Sequence, residues 1–117
     1  MYQVTHKNGE RCSAAKGYVT PNLSRTNLTV RTNTTTAKIV FEGKRAVGVC
    51  VYEGGQLKTL RSNREVIVSA GAFGSPQLLM LSGVGPVAEL QRHGITVVHA
   101  LPGVGQNLQD HIDHVQT

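Results

Sequence analysis

The sequence predicts a mixed α/β fold in which an antiparallel three-stranded β-meander is followed by a buried strand and two short helices. Residues 35–61 contain three β-rich runs joined by short connections that contain glycine, as in β-hairpins. Residues 65–70 form an apolar run without alternation that ends at a glycine turn, which is typical of a strand covered on both faces in a parallel sheet. The length of 117 residues is that of one ordinary domain.

The region before the meander is predicted to contain one short helix and one strand. Residues 10–20 include two alanines and a lysine that favour helix formation, and Pro21 marks the end of this helix. Residues 27–32, with the sequence NLTVRT, are rich in residues that favour strands. Within the meander the connections are EGKR and EGG, and valines alternate with small residues at Val47, Val49 and Val51, which predicts one apolar face.

The second half is predicted to contain two short helices and one more strand. Ser75 would cap the first helix, Pro76 would occupy its first position, and one of the next two glycines would end it. A second helix is predicted at about residues 86–93, and a strand within residues 95–101.

The turn between the apolar strand and the first helix is the first candidate site. A parallel strand that turns at glycine into a helix is the geometry of dinucleotide sites, because glycine allows close approach and the helix offers unpaired N–H groups to an anion. However, Gly71 and Gly74 do not form a G-x-G-x-x-G motif, and glycine also serves ordinary steric needs at such turns. The spacing alone leaves both interpretations open.

Composition and charge restrict the class of protein. No apolar run approaches the ~20 residues of a membrane-spanning helix, the first residues lack a secretory signal, and the two cysteines are isolated. A reduced, cytoplasmic setting is therefore expected, with membrane association left open. Residues 1–64 hold 11 cations and three acids, a charge of +8, whereas residues 65–117 carry −3. Because the cations are scattered and no aromatic residues lie between them, no nucleic-acid partner is predicted.

Metal and hydrolase sites are also not predicted. The run DHIDH places His111 and His114 three residues apart, beside Asp110 and Asp113. Two histidines supply only half of a typical metal site, so we predict no metal. The serines lack a G-x-S-x-G motif, which argues against a hydrolase.

One longer motif gives a specific resemblance. The sequence GSPQLLMLSGVG at residues 74–85 resembles the second signature of the glucose–methanol–choline (GMC) oxidoreductases, a family of FAD-dependent enzymes. Within that family these sequences most resemble those of bacterial choline and alcohol dehydrogenases. Four further runs are similar to family sequences and occur in the family's order: RTNLTVRT at 25–32, KRAVGV at 44–49, EVIVSAGA at 65–72 and LPGVGQNLQDH at 101–111.

The resemblance implies a fold and a cofactor site. The chain would be an internal segment of a Rossmann-like FAD-binding domain, with strands and the meander in residues 25–62 and a strand-helix-helix-strand unit and loop in residues 65–117. It implies that backbone atoms near Thr36 lie against the adenine and that Ala70 and Gly71 lie beside the ribose and pyrophosphate. The loop around Asn107, Asp110 and His111 would approach the flavin.

The resemblance also implies an activity for a longer parent protein. The parent would oxidise an alcohol by transferring hydride from a CH–OH carbon to FAD. The family's amino-terminal G-x-G-x-x-G loop, its acidic ribose ligand and its catalytic histidine have no counterpart in this sequence. No catalytic residue is therefore predicted in the segment, and the segment alone is expected to be inactive.

A stand-alone, non-catalytic binding module on the same scaffold is the alternative. In either case the strand at residues 66–70 would lack neighbours in the isolated chain. Because open strand edges pair with other chains, the isolated segment is expected to self-associate.

Overall fold

A computed structural model describes residues 5–112, which form two units divided between Thr32 and Asn33. In the first unit, strands β1 (His6–Lys7) and β2 (Glu10–Arg11) form an antiparallel hairpin. Its connection is Asn8-Gly9, with φ of 54° and 75°. Asn-Gly favours this turn because both residues tolerate left-handed backbone angles.

The helix predicted within residues 10–20 is present but irregular and begins late. The chain forms a π-helical turn at Ala15–Val19 and then a 3₁₀ turn at Thr20–Asn22 that contains Pro21. Residues 27–32, predicted as a strand, are not part of a strand in the structure. A high β-propensity does not produce a strand without a partner to pair with.

The second unit begins with the meander, which confirms the prediction for residues 35–61. Its strands are β3 (Thr34–Glu42), β4 (Arg45–Glu53) and β5 (Gln56–Arg61), paired antiparallel in that order. Two-residue connections join the strands, and both residues of the second connection, Gly54 and Gly55, have positive φ. The turn chemistry read from the sequence therefore fixes the register of this sheet.

Helix α1 (Gly71–Leu81) follows the meander and begins five residues earlier than predicted. Ser75 is not its N-cap, and Pro76 lies inside the helix instead of at its first position. The Ser75 hydroxyl instead accepts a hydrogen bond from the Ala70 N–H at 3.0 Å. The left-handed φ of Gly71, 83°, redirects the chain at this point and allows the helix to start there.

The end of α1, the second helix and the last strand agree with the sequence predictions, whereas one short strand after α1 was not predicted. Gly83, with φ of 84°, ends α1 and donates its N–H to the Met80 carbonyl. Strands β6 (Val84–Gly85) and β7 (His99–Ala100) pair in parallel and flank the second helix, α2 (Val87–Arg92). Strand β7 lies within residues 95–101, where a strand was expected.

The buried strand predicted at residues 65–70 is not observed as a strand. Ile67 is 78% exposed, and none of residues 65–70 belongs to a sheet of the described chain. A parallel strand obtains its hydrogen bonds only from neighbouring strands. Residues 5–112 supply no such neighbour, and the segment therefore remains unpaired there.

The core of the second unit is small and aliphatic. Its most buried side chains come from the meander, α2 and the loops around them: Ile39, Cys50, Val51, Ser82, Val84, Leu90 and Val104. Cys50 and Val51 are consecutive in β4 and point to opposite faces, so both faces of the sheet are covered at this position. The prediction of one apolar face was therefore incomplete. None of the helices within residues 5–112 is long and apolar enough to cross a lipid bilayer.

Candidate functional site

The amino end of α1 is an exposed backbone turn that contains two of the predicted site residues. Ala70 precedes the helix and Gly71 begins it with φ of 83°. Apart from its chain neighbours and the backbone of its own helix, no atom of residues 5–112 would lie within 4 Å of a Cβ atom added at Gly71, so these residues leave open space there. Residues 71–73 are exposed, and the first turn of α1 carries no acidic side chain. The first N–H groups of a helix have no partners within it, and this end therefore suits an anionic group.

Thr36 lies in β3 at an irregularity of the meander. It is exposed and pairs with Val51, whereas the next paired residue of β3, Lys38, pairs with Cys50. Ala37 is thus an extra residue without a partner in the register. A bulge of this kind bends the strand and removes one residue from the ladder. The backbone beside Thr36 is therefore locally released from the sheet, which fits the predicted contact through backbone atoms.

A buried serine connects these two regions. The Ser82 hydroxyl accepts a hydrogen bond from the Ile39 N–H at 2.8 Å and donates one to the Leu78 carbonyl at 2.6 Å. Ile39 is three residues beyond Thr36 in β3, and Ser82 directly follows α1. Thr36 and Gly71 thus lie on two elements that pack together, although no hydrogen bond among the described residues joins them directly.

The first residues of the loop that follows β7 contact β6 and α1. The Leu101 N–H donates to the Gly85 carbonyl at 2.9 Å, and Val104 is buried. A Cβ added at Gly105 would lie 3.5 Å from the Met80 Cε and 4.0 Å from the Pro76 Cβ. The loop therefore passes the middle of α1, about 7 Å along the helix axis from Gly71.

The predicted site residues of this loop follow these contacts in the chain, and their side chains are exposed. Asn107 has a left-handed φ of 55° and redirects the chain, and the Asp110 carboxylate accepts the N–H of His111 at 2.8 Å. Asp113 and His114, considered above as metal ligands, lie outside the described residues. Among residues 5–112, no three His, Cys, Asp or Glu side chains are close enough to share a metal ion.

A separate cavity of about 480 Å³ lies between α1 and α2. Its walls are mainly apolar, and at its rim the His93 imidazole lies 3.1 Å from the Glu89 carboxylate. None of the six residues predicted to contact a cofactor lines this cavity. It is therefore distinct from the open turn at Gly71.

Comparisons with known proteins agree on one family. A family model described as GMC oxidoreductase matches residues 1–113. The chain is 53% identical over 113 residues to an oxygen-dependent choline dehydrogenase of Pectobacterium atrosepticum, which covers 97% of this chain and 20% of that relative. The chain thus spans about a fifth of the length of the curated relatives it matches.

Two solved structures are similar to this chain at lower sequence identity. An FAD-dependent oxidoreductase from Chaetomium thermophilum superposes with a TM-score of 0.71 at 41% identity, over 75% of this chain and 16% of that one. A pyridoxine 4-oxidase from Mesorbium loti superposes with a TM-score of 0.75 at 28% identity, over 83% of this chain and 19% of that one.

Proposed function

Because the chain belongs to the GMC oxidoreductase family, we propose that it forms part of the FAD site of a longer FAD-dependent alcohol dehydrogenase or oxidase, the parent protein. The match over residues 1–113 and the share of the relatives' length, about a fifth, support a segment within a larger enzyme. The oxygen-dependent choline dehydrogenase that is 53% identical makes choline the first substrate to test.

The chain's own part in this reaction is to bind and orient the cofactor. Gly71 and the first N–H groups of α1 would receive the pyrophosphate, the bulged backbone at Thr36 would lie against the adenine, and the loop from Asn107 to His111 would approach the flavin. Bound FAD would accept hydride from the alcohol carbon. The general base that takes the hydroxyl proton would come from the remainder of the parent, so the isolated segment would be inactive.

The open turn at Gly71 is the observation that carries this proposal. The backbone there is left-handed, the described residues leave open space around an added Cβ, and the adjoining helix end is exposed and uncharged. An anion can approach such a turn closely only when no side chain projects from it. The residues present therefore fit the pyrophosphate of a dinucleotide.

A pair of glycine variants of the parent protein tests this proposal. Gly71→Ala would place a methyl group where the pyrophosphate approaches, and we expect the affinity for FAD to fall at least tenfold. Gly94→Ala is the matched control, because Gly94 also has a left-handed φ, 67°, with nothing within 4 Å of an added Cβ. Both variants carry similar backbone strain, about 1 to 2 kcal/mol, but only the first lies at the proposed site.

Titration of each apoprotein with FAD, followed by flavin fluorescence, gives the two dissociation constants. Weakened binding in Gly71→Ala with unchanged binding in Gly94→Ala supports the proposal. Equal affinities in the two variants would contradict the placement of the pyrophosphate at α1.

A further inference from the structure

Ser82 is a buried polar residue with a long-range contact that the FAD contacts proposed above do not use. Its side chain belongs to a residue only 7% exposed, and its hydroxyl receives the N–H of Ile39, 43 positions earlier in the chain. Ile39 is itself 5% exposed, so this hydrogen bond lies inside the unit. The sequence had suggested only that Ser82 is not a hydrolase nucleophile.

The Ser82 hydroxyl is not needed to complete the end of α1. The Leu78 carbonyl already accepts the backbone N–H of Ser82 at 3.1 Å, and the Gly83 N–H binds the Met80 carbonyl at 2.9 Å. These backbone bonds close the helix as an ordinary glycine C-cap does. The distinctive contribution of the side chain is therefore its bond with β3, a strand at the edge of the meander.

We propose that Ser82 is a positioning residue for FAD. Its hydroxyl holds β3 and α1 at the separation that one cofactor molecule requires. This inference rests on the function proposed above. Thr36 lies about 10 Å from Ile39 along β3, and Gly71 lies about 16 Å from Ser82 along α1. A ligand that contacts both Thr36 and Gly71 depends on the relative position of the two elements, and the Ser82–Ile39 bond fixes that position.

A cavity beside Ser82 makes it possible to distinguish a positioning role of the hydroxyl from a contribution to stability alone. A cavity of about 310 Å³ is lined by Ile39, Ser82 and parts of the chain from Ile95 to Val98. This space is large enough for water, which can satisfy the Ile39 N–H when the hydroxyl is removed. A water molecule restores the hydrogen bond but not the fixed link between strand and helix. Loss of the hydroxyl should therefore affect ligands that span both elements more than it affects folding.

The test uses the parent apoprotein and two fragments of FAD. ADP contains the adenine, the ribose and the pyrophosphate, whereas adenosine lacks the pyrophosphate that the first N–H groups of α1 would receive. In Ser82→Ala we expect the affinity for ADP to fall about tenfold, with the affinity for adenosine changed less than twofold. Ser82→Thr retains the hydroxyl, and the adjacent cavity has room for its methyl group, so this variant should restore the affinity for ADP.

Thr59→Val is the matched control within the same sheet. Thr59 Oγ1 lies 3.5 Å from the Cys50 Sγ, so this variant removes a hydroxyl contact from the meander without touching the link to α1. Its affinity for ADP should equal that of the unaltered protein.

Two results would overturn the inference. Equal loss of ADP and adenosine affinity in Ser82→Ala would indicate general damage to the fold, and unchanged ADP affinity would show that the bond does not set the spacing. Failure of the unaltered parent apoprotein to bind FAD would instead refute the proposed function itself, so the two failures can be told apart.

Discussion

Replacement of Gly83 by alanine should open the region around β6 and β7 while most of the fold remains. Gly83 has φ of 84°, and an added Cβ would overlap the Thr96 carbonyl oxygen and lie 2.9 Å from the Val98 Cγ2. The carbonyl of Gly83 also accepts the N–H groups of Val98 and His99, at 2.8 and 3.1 Å. The methyl group must therefore displace the very segment that is hydrogen-bonded to residue 83.

The expected cost combines two physical contributions. A left-handed backbone at alanine costs about 1 to 2 kcal/mol, and each lost backbone hydrogen bond costs about 0.5 to 1.5 kcal/mol. Two such bonds bring the total to about 2 to 5 kcal/mol. Gly94→Ala is the control, because Gly94 has a similar φ of 67° but open space around an added Cβ, and it should lose only the strain contribution.

Amide hydrogen exchange of the parent protein measures this local opening directly. In Gly83→Ala, protection of peptides that contain Val98 and His99 should fall by about 100-fold, the ratio that corresponds to about 2.7 kcal/mol. In Gly94→Ala the same peptides should change about tenfold or less. Equal exchange in the two variants would refute the claim that close packing, and not only backbone angle, requires glycine at position 83.

Two further predictions concern the meander and residues 65–70. Gly48→Ala should lower the stability of the parent by about 1 to 3 kcal/mol and therefore lower its thermal midpoint, because an added Cβ would overlap the Leu60 carbonyl and approach the Arg61 Cα to 3.1 Å. Gly103→Ala is the control and should leave the midpoint unchanged, because no atom of the described residues lies within 4 Å of an added Cβ there. The isolated 117-residue chain should self-associate in light scattering through residues 65–70, which belong to no sheet of the described chain, and Ile67→Lys should reduce the apparent mass. A concentration-independent monomer of the unaltered chain would contradict this second prediction.

Local chemistry explains why the meander could be predicted. Each of its connections contains glycine at a position with positive φ, and residues that favour strands flank both connections. The same reasoning predicted that α1 ends at Gly83 or Gly85, because a left-handed glycine after a helix is a local signal, and the structure has this glycine at Gly83. These features depend on a few neighbouring residues, all of which are visible in the sequence.

The wrong or missing predictions concern features that depend on residues distant in the sequence. Ser75-Pro76 has the pattern of a helix start, yet Gly71 begins the helix and Ser75 turns back to Ala70. The run at residues 65–70 has the composition of a buried strand, but pairing depends on neighbours that the described residues do not supply. The Ser82–Ile39 bond joins positions 43 residues apart, and no local pattern in one sequence indicates such a contact.

The site residues were likewise predicted in part from a local sequence pattern and in part from family resemblance. The glycine turn at Gly71 was visible as a possible ligand site, but its spacing alone did not distinguish a ligand from steric need. The assignment of Thr36 and of the loop from Asn107 to His111 came from family resemblance. The bulge beside Thr36 and the left-handed Asn107 are features that only the three-dimensional structure adds.

The visible absorption spectrum of the purified parent protein, recorded before and after anaerobic addition of choline, shows whether the protein holds a flavin that an alcohol reduces. We predict a flavin spectrum that bleaches when choline or another alcohol substrate is added. A colourless protein that also fails to take up added FAD would contradict the account and would favour a binding module that retains the scaffold without the cofactor.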